Sequence, residues 1–400
     1  MGKADTNPFS PGMPVSLELF TGREAELEDL ADRVGAAANG RFGVAFLTGE
    51  RGIGKSMLAS YVRRLGEQRR GLLTVHAYMG GADTVGEAVR RIFERIARDG
   101  QTQPWFAKVK KLFGQSLQNL GLFGLEVGFY PDETQRAGLV DHFDLAVRNL
   151  LDKLQGTKSG ILLVLDDING LATSEAFAHW IKGFVDGVAT SGQVLPLYLL
   201  LVGLEERRRS LIESNPSLAR VFHLVDIQPW TDAETKEFYR KAFETVDLQA
   251  TEDALHLMSF FAGGLPMLAH EIGDAAYRLH TTGDITARLA VMAVNSAADV
   301  VGRKHIEPRV FQAIRSPRYR QILRKISQLL KLRFKRSDLR AHLGTDEMKV
   351  LDNFLRKMRD LGVLVQDSEQ GAGWYRFSSN LHFAYFMSEA RRSGARDDVD

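Results

Sequence analysis

The sequence predicts an α/β protein: a parallel sheet covered on both faces by helices, then a helical lid and a small C-terminal module of helices and a hairpin. Three observations predict it. Short apolar runs alternate with helical periodicities between residues 43 and 227. One of those runs, Gly43 to Thr48, flows into a glycine turn and then an amphipathic helix. From Thr231 the apolar spacing becomes helical and stays so to about Ala298.

The elements follow in order. Residues 1–19 read as an extended leader, because Pro8, Pro11 and Pro14 block a helix. Leu27, Leu30 and Val34 recur at helical spacing behind Gly22, so a helix starts near Arg23. GVAFLT is a buried strand, KSMLASYVRRLGEQ the helix after it, and Leu72 to Tyr78 a second strand. A helix spans about Val85 to Arg98. Gly121, Gly124 and Gly128 interrupt the next apolar stretch, which reads as a short hairpin or a loosely packed strand. One helix is expected from about Gln135 to Leu154. Ile161 to Asp167 and Leu195 to Gly203 are fully apolar strands, the first ending in two carboxylates, and Arg220 to Ile227 is an edge strand. Such alternation implies right-handed crossovers and a parallel sheet. No internal repeat is present.

Composition narrows the function. The 400 residues, 44% hydrophobic and 26% charged, exclude a disordered, collagenous or coiled-coil chain and suggest two or three domains. Without cysteine there are no disulfides, thiolate metal sites or cysteine nucleophiles. The most apolar run, Val194 to Val202, contains Pro196 and is too short to span a bilayer, so no membrane is expected. The N-terminus lacks a hydrophobic signal core, although Gly2 and Thr6 fit the loose myristoylation pattern; a cytoplasmic location is expected. The net charge of +2 hides a split. Val301 to Asp360 hold 17 Lys/Arg against 6 Asp/Glu, a local charge of +11 that leaves −9 on the rest. That asymmetry marks a basic C-terminal module on a mildly acidic body.

The strongest chemical signal is the run Gly49-Glu50-Arg51-Gly52-Ile53-Gly54-Lys55-Ser56, a GxxxxGK[ST] phosphate loop between strand and helix. Its glycines let the backbone wrap a phosphate with N–H groups facing inward. The following helix turns its positive end to the same anion. Lys55 reaches the β and γ phosphates and Ser56 is a Mg²⁺ ligand. The candidate ATP-binding set is therefore Gly49, Glu50, Arg51, Gly52, Ile53, Gly54, Lys55, Ser56 and Met57. Asp166, at the end of an apolar strand, is the second candidate Mg²⁺ ligand. Asp167 stands where a hydrolytic glutamate often polarises water, and is shorter by one methylene, which fits slow hydrolysis or a nucleotide switch.

These motifs resemble the AAA+ ATPases of the origin-recognition type, together with the related signalling ATPases with numerous domains and transposon helper ATPases. The likeness is nearest to bacterial ATP-binding proteins that join such an ATPase to a C-terminal winged helix. It runs from about Asn7 to Phe386. NPFSPG followed by FTGREAEL resembles the family's adenine-side segment, which implies that Thr21 and Gly22 flank the base. LVGLEERRRSLIESNPSLARVF resembles the segment leading to the arginine finger. The resemblance implies a catalytic Arg220, in trans across a subunit of a homo-oligomer or in cis as a closure sensor. Arg207, Arg208 and Arg209 read as a solvated helix face. GGLPMLAHEI resembles the helical lid's GxP motif and implies that Pro266 packs near the base. The sequence departs from the pattern twice. No polar sensor residue appears in LLLVGL, and Met267 and His270 stand where the lid helix would carry an arginine. Both departures argue against a fast motor. The implied organisation is an ATPase domain over 20–228, a helical lid over 229–300, a winged helix over 301–390 and a disordered tail over 391–400.

Within the basic module, residues 319–386 fit a winged helix. Its third helix is TDEMKVLDNFLRKMRDLG and its wing VLVQDSEQGAGWYRFSS. Lys335, Arg336, Lys349, Arg356, Lys357 and Arg359 are candidates to meet the phosphates of double-stranded DNA. Asp346, Glu347 and Asp352 on the same helix oppose DNA and favour a protein partner. Two readings stand: an ATPase whose nucleotide state controls a DNA-contacting module, or a slow nucleotide switch or assembly adaptor whose module binds protein.

Overall fold

The computed structural model describes residues 7–13, 19, 21–110, 112, 117–120, 126–129, 132–329, 331–367 and 369–397. Gly2, Thr6, Pro14, Gly121 and Gly124 lie outside the described residues. The chain divides into two compact units: Arg23–Gln228, and Met1–Gly22 with Pro229–Asp400. Among the described residues no helix is long and apolar enough to cross a membrane.

The first unit opens with α1 (Glu24–Ala38), β1 (Gly43–Gly49), α2 (Lys55–Arg70), β2 (Leu73–Tyr78), α3 (Val85–Gly100) and the short α4 (Phe106–Val109). An antiparallel pair follows, β3 (Leu117–Leu120) with β4 (Glu126–Phe129). Then come α5 (Glu133–Asp141), α6 (Phe143–Leu154), β5 (Ile161–Asp166), α7 (Glu175–Thr190), β6 (Leu197–Val202), α8 (Glu205–Ser214) and β7 (His223–Ile227). The helix expected over Gln135 to Leu154 is two. His142 leaves the helical region at the junction, and only α6 carries a core stripe, Phe143, Val147, Leu150 and Leu154. α5 buries nothing and stands on its capping box, Asp132 with Gln135.

Five strands form one parallel sheet in the order β2-β5-β6-β1-β7. Every residue of β5 and β6 is buried, which is why they read as unbroken apolar runs. The register aligns the carboxyl ends: Tyr78 pairs with Asp166, Asp166 with Val202, and Leu47 with Val202. The edge strand starts at His223 rather than Arg220. Pro216–Arg220 is a 3-10 turn, capped where the Asn215 side chain accepts from the Ser217 N–H.

The second unit contains α9 (Asp232–Glu244), α10 (Glu252–Ala262), α11 (Pro266–Leu279) and α12 (Ala287–Val301), then a π-helical stretch, Gly302–Phe311. Thr231, Thr251 and Thr286 cap α9, α10 and α12 with their side-chain oxygens. It continues with α13 (Pro317–Gln328), β8 (Arg333–Lys335), a 3-10 turn (Arg336–Ala341), α14 (Thr345–Asp360), β9 (Leu364–Gln366), β10 (Trp374–Phe377) and α15 (Asn380–Asp397). The hairpin strands gain a third neighbour, in the order β8-β10-β9. One buried cluster runs from Phe9 through α9–α12 to Phe386, and the expected boundary at residue 300 falls inside it.

Two expectations about the ends change. The leader is packed where it is described. Phe9 is 3% exposed, with ring centroids 5.2 Å from Phe243 and 5.9 Å from Phe238. It lies over Gly273, where any Cβ would collide with its ring. Asn7 Nδ2 donates to Asp274 at 2.6 Å, and the Ser10 N–H donates to His270 Nδ1 at 3.2 Å. At the other end α15 extends to Asp397 through most of the tail expected to be disordered, and Arg392 holds both carboxylate oxygens of Asp299 at 2.9 Å.

Candidate functional site

The carboxyl edge of the parallel sheet brings Lys55, His76, Tyr78, Asp166 and Asp167 together. β1 ends at Gly49, the chain turns through Gly54, and α2 begins at Lys55. Gly54 has φ +100°, a left-handed conformation that a side chain would strain. Gly49 also turns with positive φ, and a Cβ there would sit 2.8 Å from the Ile227 carbonyl. Ile53 is fully buried and anchors the loop, while Glu50 and Arg51 point to solvent. Met57 is half-buried in the first turn of α2.

Lys55 Nζ donates to the Gly49 carbonyl at 2.9 Å and the Glu50 carbonyl at 2.7 Å. Burial is the main cause that lowers its pKa to about 8, and Arg51 adds to it against the pull of Asp166, Asp167 and Glu50. Ser56 Oγ donates to Asp166 Oδ1 at 3.1 Å. Asp166 is 4% exposed, and its second oxygen lies 3.0 Å from His76 Nε2 on β2. Asp167 follows with φ +58°. Tyr78 OH donates to Asp167 Oδ2 at 2.9 Å, and that bond pushes the tyrosine pKa up. Asn169 Nδ2 donates to Asp167 Oδ1, and Asn169 Oδ1 accepts from the Leu204 N–H at 3.1 Å.

Lys55, Ser56, Asp166 and Asp167 are thus brought together. Arg220 is not among them. β7 pairs with β1 from His223 opposite Ala45 to Ile227 opposite Gly49. Four residues at roughly 3.3 Å each separate those pairs, and Arg220 precedes His223, so it stands exposed at the far end of the sheet. The predicted arginine face of α8 is mixed. Arg208 and Arg209 pair with Glu205, but Arg207 Nε is buried and has no hydrogen-bond partner among the described residues. Three site neighbours escaped the sequence reading: His76, Tyr78 and Asn169. The only signal for the first two was their place at the end of an apolar strand.

Thr21, Gly22 and Pro266 belong to the second unit. Thr21 is buried, and its carbonyl accepts from the Trp230 indole N–H at 2.9 Å. Gly22 has φ +65° and passes close to the Glu234 carboxyl and the Trp230 ring. The Trp230 backbone N–H donates to the Gly264 carbonyl at 2.9 Å, and Pro266 opens α11 just beyond. Trp230, unremarked in the sequence, therefore ties the Thr21–Gly22 turn to the Gly264 turn.

Comparison with known proteins agrees with this geometry. A family model described as AAA ATPase domain matches residues 19–200. No curated protein sequence matches the chain. Among solved structures, the ORC2 protein of Aeropyrum pernix, determined with ADPNP and ADP, aligns over 100% of both chains at 15% identity, TM-score 0.61. A Walker-type ATPase of Pyrococcus abyssi aligns over 95% of this chain and 99% of its own at 18% identity, TM-score 0.56. Cdc6p of Pyrobaculum aerophilum aligns over 98% and 99% at 16% identity, TM-score 0.52.

Proposed function

We propose that the protein, whose residues 19–200 match a family model described as AAA ATPase domain and whose fold is similar to those of the ORC2 and Cdc6p structures, binds ATP with Mg²⁺ and hydrolyses it to ADP and phosphate. The observation that carries the reading is the meeting of the glycine loop, Lys55 and the Ser56–Asp166 pair at one end of the sheet. The loop N–H groups from Gly49 to Met57 cradle the phosphates. Lys55 exchanges its loop carbonyls for β- and γ-phosphate oxygens, and the arriving anion stabilises the ammonium charge that burial opposes. Ser56 and Asp166 fit Mg²⁺, since they offer a hydroxyl and a buried carboxylate, both hard oxygen donors, 3.1 Å apart. Ser56 and Asp166 would hold the ion, which when bound would supply charge neutralisation at the phosphates. Asp167 orients the attacking water and accepts its proton. Arg220, at the opposite strand end, acts on a neighbouring copy in this reading.

The finer proposal concerns the basic module. Arg356, Lys357 and Arg359 on α14 carry no ion pair among the described residues and are suited to a DNA backbone. Phosphate release with and without duplex DNA, on the full chain and on Lys55→Ala, tests both parts. Unchanged turnover in Lys55→Ala overturns the ATPase reading. The adaptor reading is favoured by one observation: Asp352 engages Arg336 and Asp346 engages Lys349. Absent or salt-insensitive DNA binding leaves that reading standing.

A further inference from the structure

We propose that Asn169 is a positioning residue for Asp167, supplying from the loop after β5 the polar link missing at the end of β6. The inference deepens the ATPase reading and rests on it. Asn169 lies two residues beyond Asp167, and its amide is used at both ends. Nδ2 donates to Asp167 Oδ1, and Oδ1 accepts from the Leu204 N–H at 3.1 Å. Those partners fix the amide's orientation. Exchanging the two ends would set a carbonyl against a carboxylate and an NH₂ against an N–H.

The frame behind this link is rigid. Strand pairing continues two residues past β5, with the Ile168 N–H donating to the Val202 carbonyl at 3.1 Å. The Gly203 N–H in turn donates to the Leu47 carbonyl at 3.1 Å. Gly203 sits beside the link: a Cβ there would press on Phe46 at 3.2 Å and Ile168 at 3.3 Å, and would meet Asn169 Oδ1 at an ordinary contact distance of 3.5 Å. Asp167 is thereby tied through one side chain to β6, and through β6 to the strand that carries the phosphate loop. Its other oxygen is held by Tyr78, which is 63% exposed and yields more easily to solvent. A carboxylate one methylene shorter than glutamate has less reach, so its direction matters more. Asn169 sets that direction.

The test uses steady-state phosphate release and equilibrium binding of a fluorescent ATP analogue by the full chain. Asn169→Ala lowers kcat about 10- to 100-fold, the usual scale for a partner that orients a functional group. Affinity for the analogue stays within about two-fold, because Asn169 touches no loop atom that holds phosphate. Asn169→Asp keeps the acceptor for Leu204 but sets a carboxylate oxygen against Asp167 in place of the donor, so it loses at least as much turnover as Asn169→Ala. On an Asp167→Asn background, Asn169→Ala costs nothing further. Full kcat in both single variants, or a double variant that loses the product of the two single effects, overturns the inference. Lys55→Ala separates the two levels. If it retains turnover, the ATPase reading falls and takes this inference with it. If it loses turnover while the Asn169 variants keep theirs, only this inference falls.

Discussion

Between Gly49 and Ser56 a single lysine and a run of backbone N–H groups face one point, held by β1 behind and α2 ahead. Between Val301 and Asp360, 17 cations are spread over a surface, and the structure occupies some of them with carboxylates. Both regions suit phosphate, by different physics. The loop depends on backbone geometry and few atoms, so each atom carries much of the effect. The basic segment depends on the sum of screened charges, so each side chain carries little.

The largest effect expected from that difference is at Lys55. Lys55→Ala should reduce phosphate release below roughly 1% of the parent, because one charge there replaces what the basic segment spreads over many. A malachite-green assay at saturating ATP checks it, and substantial residual turnover would erase the contrast. Next in size is Gly54→Ala. The substitution forces a side chain into φ +100°, at a cost of about 1–3 kcal/mol. Thermal unfolding should fall by several degrees, and nucleotide affinity by at least about ten-fold. Alanine at Gly371 or Gly373, which also have positive φ in the β9–β10 turn, should cost stability on the same scale but leave nucleotide affinity unchanged.

The same difference governs what the sequence could reveal. The phosphate loop, its flanking strand and helix, and the strand-end acid Asp166 were legible because the chemistry lies within consecutive residues. The parallel order of the sheet followed from apolar runs that only two-sided burial explains. Contacts across the chain were not legible. His76 meets Asp166 from 90 residues away, Tyr78 meets Asp167 from 89, and Trp230 meets Thr21 from 209. Phe9 looked like part of an extended leader because its prolines forbid a helix, and nothing local signals the space over Gly273 that receives it. β8 is three residues long, too short for a period-two pattern. Asn169 was hidden differently. The residues of β6 carry no polar sensor, and the side chain arrives from the neighbouring strand's loop.

On the basic segment the expected effects are smaller and graded by pairing. Arg356→Ala should reduce the slope of log K against log salt for duplex DNA by about one, with little dependence on sequence. Arg336→Ala should change it less. Its guanidinium already grips both Asp352 oxygens at 2.7 and 2.9 Å, so less free charge is lost. Fluorescence anisotropy across a salt series distinguishes them. Equal slopes for the two variants would mean that the Arg336–Asp352 pair opens on DNA.

The smallest effect tests that pair directly. The hydrogen bond from Arg336 is the main cause holding Asp352 below its usual value of 3.8, against a weaker desolvation that raises it. A carboxylate lowered on folding stabilises the folded state above its unfolded value and loses that contribution as the pH falls through the folded one. The pair should therefore be intact at any pH above about 4 and release only in stronger acid. Asp352 is 67% exposed, so the contribution is that of a surface pair, about 0.2–1 kcal/mol. Asp352→Asn should remove this acid-side loss, lower stability at pH 7 by no more than that about 0.2–1 kcal/mol, and free Arg336. DNA binding at pH 7 should then tighten a few-fold and its salt slope steepen by about one. An unchanged slope would place Arg336 away from the DNA face and narrow that face to the unpaired cations of α14.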